Sequence, residues 1–175
     1  MTKRGHDVMN LYMISLGGKV KGCNIEVHDV QFVVANHVDE TIDIIKNNWY
    51  GLPFKLHMDS YKMISGADGY EIRISQKQSD NKQKLFFVQF GGYKKDLTQE
   101  LHDVGLYVGE SEQEVKTRAL TEAKVADIEN HVDSIICVET CMLSTDGMQY
   151  FIELVESHDK YDIEPDWFGY RRLDV

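Results

Sequence analysis

The segment Leu11-Tyr-Met-Ile-Ser-Leu-Gly-Gly18 recurs 74 residues later in the chain as Leu85-Phe-Phe-Val-Gln-Phe-Gly-Gly92. At this constant offset, thirteen of the fifty residues in 85–134 are identical to their counterparts in 11–60, whereas average composition predicts about three by chance. The 175-residue chain is therefore expected to contain two copies of one small unit. A unit of roughly 70–75 residues buries only about 60% of the surface that its unfolded chain exposes, so we expect the copies to pack against each other.

Both copies predict the same order of elements, which is strand, strand, helix, strand, strand. Apolar first strands end at the two Gly-Gly pairs, and second strands begin at His28 and His102. Turns at Asp68-Gly69 and Asp146-Gly147 lead into the fourth strands. The predicted fold class is α+β, with two tandem ββαββ repeats packed with pseudo-twofold symmetry. One face of the second strands is predicted to carry His28, Val30, Phe32 and Val34 in the first copy, and His102, Val104, Leu106 and Val108 in the second.

The predicted helices are amphipathic. Ser111 and Glu114 have the spacing of a capping box at the start of the second helix. The apolar stripes comprise Val38, Ile42, Ile45 and Trp49 in the first copy, and Val115, Ala119, Ala123 and Ala126 in the second.

The predicted boundaries follow from the repeat. Residues 1–74 form the first repeat with a short N-terminal tail, 75–84 a polar linker without apolar residues, 85–154 the second repeat, and 155–175 an acidic and aromatic C-terminal tail. Trp167 and Phe168 lie side by side in this tail, and two such side chains are costly to leave in water. We expect them to dock on the body of the protein, with contact to a partner as the alternative.

Charge and cysteine content limit the function classes. The net charge is −10, and it is concentrated in residues 85–175, which hold eight Lys/Arg and nineteen Asp/Glu. An acidic half repels phosphate backbones and anionic lipid surfaces, so nucleic acid and membrane are not expected partners. A protein or a small ligand is compatible, and a homo-oligomer stays open. The polar N-terminus, the lack of a long apolar run and the odd number of cysteines, expected to be core thiols, predict a cytoplasmic location.

The recurrent polar residues are the candidates for chemistry. They are Glu26, His28, Asp29, His57 and Asp59 in the first copy, and Glu100, His102, Asp103, His131 and Asp133 in the second. Histidine nitrogens and carboxylate oxygens bind divalent metals and transfer protons. A structural role is the competing interpretation, because a histidine at the rim of an apolar face often serves as a hydrogen-bond donor. Retention in both copies favours structure, so no cofactor is predicted, with a divalent metal as the alternative.

The Gly-Gly pairs are interpreted as tight turns. Gly17, Gly18, Gly91 and Gly92 are not followed by a helix and lack the G-x-G-x-x-G and P-loop patterns, so a phosphate site is not predicted. A turn that needs positive φ would explain them. The sequence also lacks G-x-S-x-G, H-E-x-x-H and C-x-x-C, so nucleophilic catalysis has no visible nucleophile.

Four segments resemble an uncharacterised bacterial family, the domain of unknown function numbered fifteen-forty-three. They are Leu11 to Gly18, Asn24-Ile-Glu-Val-His-Asp-Val-Gln-Phe-Val-Val34, Leu56-His-Met-Asp-Ser60 and Asp68-Gly-Tyr70. The resemblance is close over residues 11–74 and weaker over 85–154, where Gly22 and Trp49-Tyr50-Gly51 have no equivalents. It implies a bacterial origin and a domain present once or twice, and it supplies no activity.

Two function hypotheses follow. The first is a non-enzymatic binding or assembly module, because no nucleophile is visible and the polar residues have structural explanations. The alternative is a small metal-dependent or acid-base enzyme that uses the repeated Glu-x-His-Asp and His-x-Asp-Ser motifs.

Overall fold

The computed structural model describes residues 9–123 and 129–174, and the protein is mostly β, with three sheets and few helices. A short 3-10 helix, Val38–Thr41, precedes the first described α-helix. The strands are β1 (Asn10–Gly18), β2 (Val27–Ala35), β3 (His57–Ile64), β4 (Gly66–Ala67), β5 (Tyr70–Ser75), β6 (Lys84–Tyr93), β7 (Leu101–Gly109), β8 (Glu129–Cys137), β9 (Leu143–Ser144), β10 (Phe151–Glu156) and β11 (Trp167–Arg172). The helices are α1 (Ile42–Asn48), α2 (Glu112–Glu122) and α3 (Val138–Cys141).

Two of the sheets are built on the repeated first strands. The first has the order β11-β3-β1-β2-β9 and the second has the order β7-β6-β8. In the first sheet Gly17 pairs with His28 of β2 on one side and with His57 of β3 on the other. In the second, Gly91 pairs with His102 and His131 in the same way. The register of these three strands is thus the same in both halves at the offset of 74 residues.

Alternation along the first strands divides the apolar side chains between two layers. Leu11 and Met13 of β1 belong to a core that also contains Leu85 and Phe87 of β6, so one face of each sheet packs against the other. Phe32 and Phe87 meet there edge to face, with ring centroids 5.6 Å apart. The opposite faces are covered by the segment around α1 in the first half and by α2 in the second.

The predicted α+β class with two ββαββ repeats is wrong. The fourth strands, β5 and β10, do not complete the sheets of their own halves but pair with each other, and with β4 they form a third sheet. A strand has unpaired N–H and C=O groups along its edges, and each fourth strand finds its partner in the other half. Neither half is therefore a closed ββαββ unit, and the described helices are too short to make this an α+β protein.

Local signals for turns and caps are seen in the structure. Asp68 and Gly69 have φ values of 53° and 80°, which suit the tight turn between β4 and β5. Ser111 caps α2, since its Oγ accepts a hydrogen bond from the backbone N–H of Glu114 at 3.2 Å. Ala126, expected on the apolar stripe of this helix, lies outside the described residues.

The C-terminal tail adds β11 to the first sheet beside β3. Trp167 packs against the core around α1, and its ring stacks on that of Tyr61 with centroids 6.4 Å apart. Phe168, in contrast, is 77% exposed. Core thiols were a wrong expectation for two of the cysteines, because Cys23 and Cys141 are exposed. Among the described helices, none is long and apolar enough to span a bilayer.

Candidate functional site

Each half carries a cluster of two histidines and two carboxylates above the first glycine of its Gly-Gly pair. Because Gly17 pairs with both His28 and His57, the two imidazoles stand on the same sheet face on either side of it. A Cβ atom on Gly17 would lie 2.5 Å from Nε2 of His57 and 3.1 Å from Cδ2 of His28. The absence of a side chain therefore provides the space in which the rings converge.

The donor atoms of the first cluster face one another. Nε2 of His28 lies 3.3 Å from Oε1 of Glu26 and 3.6 Å from Oδ2 of Asp59. Nε2 of His57 lies 3.6 Å from the same Glu26 oxygen and 3.3 Å from Oδ1 of Asp59. Each imidazole nitrogen thus faces both carboxylates at nearly equal distances. We call these four residues site one.

The second half repeats this arrangement. Nε2 of His131 lies 2.9 Å from Oε1 of Glu100 and 2.9 Å from Oδ1 of Asp133. Nε2 of His102 lies 3.4 Å from Oε2 of Glu100 and 3.6 Å from Oδ2 of Asp133. A Cβ on Gly91 would clash with His131, Glu100 and Asp133. We call Glu100, His102, His131 and Asp133 site two.

A β-bulge lies at the aspartate of each site. Along β3, Met58 pairs with Leu16 and Ser60 pairs with Ser15, so Asp59 is the extra residue between them. Asp133 is the corresponding extra residue between Val132 and Ser134 of β8. An aspartate two residues after each histidine lies on the same strand face by ordinary alternation, and the bulge adds a local bend and twist at that position.

A backbone carbonyl sets the tautomer of His57. Nδ1 of His57 lies 2.8 Å from the carbonyl oxygen of Lys55. A carbonyl can only accept, so Nδ1 carries the proton and donates it. In the neutral ring Nε2 then presents its lone pair to Glu26 and Asp59, which is the orientation that metal-binding histidines adopt.

An aromatic ring covers one histidine of each site. Tyr170 of β11 stacks on His57 with ring centroids 4.1 Å apart, and His57 is only 1% exposed. Tyr93, at the end of β6, stacks on His131 at 5.3 Å, but the His131 side chain is 40% exposed. The tyrosines of the two halves therefore come from different parts of the chain, and within residues 9–123 and 129–174 only the first half has a C-terminal strand beside its site.

The environment perturbs three acidic groups at or beside the sites. Burial raises the pKa of the Asp59 carboxyl above its ordinary value, although the neighbouring histidines oppose this effect. Burial also raises the pKa of Asp29. A hydrogen bond to Glu100 is the main cause that raises the pKa of the Tyr93 hydroxyl.

The structure brings together eight of the ten candidate residues and separates two. Neither Asp29 nor Asp103 is among the donor atoms described above, and the Asp103 side chain instead accepts a hydrogen bond from the N–H of Val104. Sequence reasoning missed Tyr93 and Tyr170. Tyr93 directly follows the second Gly-Gly pair, which could have drawn attention to it, whereas Tyr170 comes from a tail outside the repeat and carries no comparable signal.

The interpretation of the glycine pairs as turns is wrong. Gly17 and Gly18 lie in β1, and Gly91 and Gly92 lie in β6. Positive φ values occur at other glycines, Gly22, Gly69, Gly147 and Gly169. Gly17, Gly18 and Gly91 are required for close approach of side chains and not for a left-handed backbone, since a Cβ on Gly18 would lie 2.9 Å from the Trp49 ring.

Comparisons with known proteins extend this description. Residues 23–74 match the model of a family described as Domain of Unknown Function (DUF1543). Among solved structures, the chain is similar to the crystal structure of a protein Il1583 from Idiomarina loihiensis, with a TM-score of 0.73 and 27% sequence identity over 94% of this chain and 98% of that chain. No curated protein matches the chain.

Proposed function

We propose that the protein is a divalent-metal-binding module that holds one cation at site one and one at site two. The observation that carries this proposal is the convergence of four imidazole nitrogens, two in each half, on pairs of carboxylates above a glycine. Since residues 23–74 match DUF1543 and β6 to β8 repeat the register of β1 to β3, we further infer that the second half is a diverged second copy of that domain.

The separations in site one fit ligands around a small ion better than they fit ion pairs, whereas the two contacts of His131 in site two, at 2.9 Å, have the length of charge-assisted hydrogen bonds. Charge-assisted N–H···O bonds are commonly about 2.7–2.9 Å long, whereas the four contacts of site one span 3.3 to 3.6 Å. Two ligands bound tetrahedrally to one zinc ion at about 2.0–2.2 Å lie roughly 3.3–3.6 Å apart. The ligand atoms of Glu26, His28 and His57 lie within 4.8 Å of one another, as three ligands around one ion would, and Asp59 lies beside them.

Hydrogen bonding within the clusters does not account for them. Each Nε2 carries at most one proton and cannot donate it to two carboxylates in different directions. Among the described residues, Oε1 of Glu100 is buried and has no hydrogen-bond partner, although His131 Nε2 is 2.9 Å away. A buried oxygen without a partner is costly, and a cation between these atoms would remove that cost.

The ligand set favours zinc. Two neutral imidazoles and two carboxylates carry a charge of −2, which one divalent cation neutralises. Zinc accepts histidine nitrogen and carboxylate oxygen in four-coordinate sites, whereas calcium and magnesium prefer oxygen ligands alone. The contact of His57 with the Lys55 carbonyl supplies the outer hydrogen bond that zinc-bound histidines usually make.

Metal content per chain tests the proposal. The protein is stripped with EDTA, dialysed against zinc, and analysed by mass spectrometry of the elements together with protein concentration. We expect two zinc ions per chain for the wild type, one for His28→Asn, one for His102→Asn and none for the double variant, because each substitution removes one ligand from one site.

The control is His37→Asn, which changes an exposed histidine outside both sites. It should retain two zinc ions, since its ring only caps the 3-10 turn by accepting from the Asp39 N–H. A wild type that binds no zinc, or a double variant that still binds two ions, overturns the proposal.

A further inference from the structure

The two metal sites lie on the sheet faces that pack against each other. Gly17, Ser15 and Met13 follow one another along one face of β1, opposite His28, Val30 and Phe32 of β2. Met13 and Phe32 are in the core shared with β6 and β7. Ser15 and Val30 therefore form a middle row between the core and site one.

A cavity of about 260 Å³ occupies this middle row. Its walls include three pairs of repeat-equivalent residues, namely Met13 and Phe87, Ser15 and Gln89, and Val30 and Val104. The two sheets are thus in close contact at the core and are separated by a cleft beside the metal sites. His28, a ligand of site one, also lines this cleft, and so does Ser134, which follows Asp133 of site two.

We propose that this cleft binds a small organic ligand whose apolar body lies between the sheets and whose oxygen head group coordinates the cation of site one. This inference rests on the metal-binding function proposed above. The open side of site one makes the contact feasible, because the His28 side chain is 63% exposed.

The lining specifies the chemistry of the ligand. The walls combine apolar side chains, such as Phe87, Val104 and Ile136, with the neutral polar groups of Ser15, Gln89 and Ser134 and with the acidic residue Asp29. Among the described residues that line it there is no lysine or arginine, so a multiply charged phosphate would have no counter-charge besides the ion. A ligand with a neutral or singly anionic oxygen head is the class that fits.

The volume of the cleft limits the size of the apolar body of the ligand. An apolar cavity of about 150 Å³ is sufficient to bind benzene. The cleft, at about 260 Å³, has space for one aromatic ring or a branched chain of similar size together with a short head group. Most specific ligands bury an apolar body and fix its orientation with a few polar contacts, and the cleft offers both.

Two hydroxamic acids test the proposal on the zinc-loaded protein. Benzohydroxamic acid carries a ring and a metal-binding head, and acetohydroxamic acid carries the same head without the ring. We expect calorimetry to show at least tenfold tighter binding of the ring-bearing compound. Equal affinities, or no binding of either compound, would overturn the proposal that the cleft binds the apolar body of a ligand.

Ser134 and its repeat equivalent Ser60 provide a matched pair of variants. Ser134 lines the cleft, whereas Ser60 does not, and both follow the bulged aspartate of their strands. Ser134→Phe should reduce the affinity ratio of the two compounds to less than twofold, whereas Ser60→Phe should preserve it. A ratio that persists in Ser134→Phe contradicts binding of the ring in the cleft.

A measurement on the wild type keeps the test independent of variant folding. In protein labelled at its methionine methyl groups, benzohydroxamic acid should shift the resonance of Met13, which lines the cleft, and leave that of Met58, buried on the other side of the sheet, unchanged. Zinc content is measured on the same samples. Two bound zinc ions without a shift of the Met13 resonance overturn only the proposed ligand binding in the cleft, whereas absence of zinc overturns both proposals.

Discussion

Gly17 and Gly91 are the residues on which the two sites depend, because the imidazole rings occupy the space that a side chain would fill. In the first half the second glycine of the pair, Gly18, has a separate role, because it approaches the Trp49 ring. Adjacent residues of a strand point to opposite faces, so Gly17 lies on the face of site one and Gly18 on the face of the helix layer.

Substitution of these neighbours separates metal binding from packing. Gly17→Ala should lose the zinc ion of site one and retain that of site two, because its Cβ would lie 2.5 Å from His57 Nε2. Gly18→Ala should destabilise the protein by about 1–3 kcal/mol through overpacking against Trp49 and keep two zinc ions. Zinc content and urea unfolding measure the two effects, and two zinc ions in Gly17→Ala would contradict this role of the glycine.

At the level of residues, the repeated polar positions could be found from the sequence, but their convergence could not. The offset of 74 residues singled out Glu26, His28, His57 and Asp59 with their counterparts. The repeat alone could not distinguish them from Asp29, which recurs equally well, although alternation along the strand places Asp29 on the face opposite to His28. It also could not show the bulge at Asp59.

Among the elements, β11 has the largest effect on the difference between the halves. It pairs with β3, and its register is interrupted between Phe168 and Arg171, where Gly169 and Tyr170 intervene. Tyr170 then covers His57. The described residues include no corresponding strand beside β8, whose histidine is consequently more exposed.

A substitution at Leu173, the residue that directly follows β11, tests how this strand is attached to the first sheet. Leu173 is 3% exposed in the core around α1, so Leu173→Ala should lower the free energy of unfolding by about 2–4 kcal/mol. It should also weaken zinc binding at site one and leave site two unchanged. Phe168→Ala, on the same strand but 77% exposed, should change stability by less than about 0.5 kcal/mol. Equal losses in the two variants would contradict the docking of this segment.

The elements themselves were partly predictable. Apolar runs, the Asp68-Gly69 turn and the Ser111 cap are local signals, and they indicated strands and helices near their observed positions. The pairing of β5 with β10 is a contact between distant segments that no local pattern encodes. The fold class was wrong for this reason, since the fourth strands could not be assigned to a sheet from the sequence.

On the scale of the whole molecule, the shared core and the shared sheet join the halves, and site one and site two lie on the sheet faces that pack against each other. Met13 and Phe87 contribute to that core, and β5 and β10 connect the halves through the third sheet. The cleft between the sheets is a consequence of this packing, because equivalent faces approach each other at the core and leave space beside the sites.

Anomalous diffraction at the zinc absorption edge, from crystals of the zinc-loaded protein, would locate the bound ions. Zinc binding at both sites predicts two strong peaks per chain, one between the Nε2 atoms of His28 and His57 and one between those of His102 and His131. Each ion should lie about 2.0–2.2 Å from its nitrogen and oxygen ligands. A map without zinc at both positions, with the four histidines bound only to the neighbouring carboxylates, would contradict it.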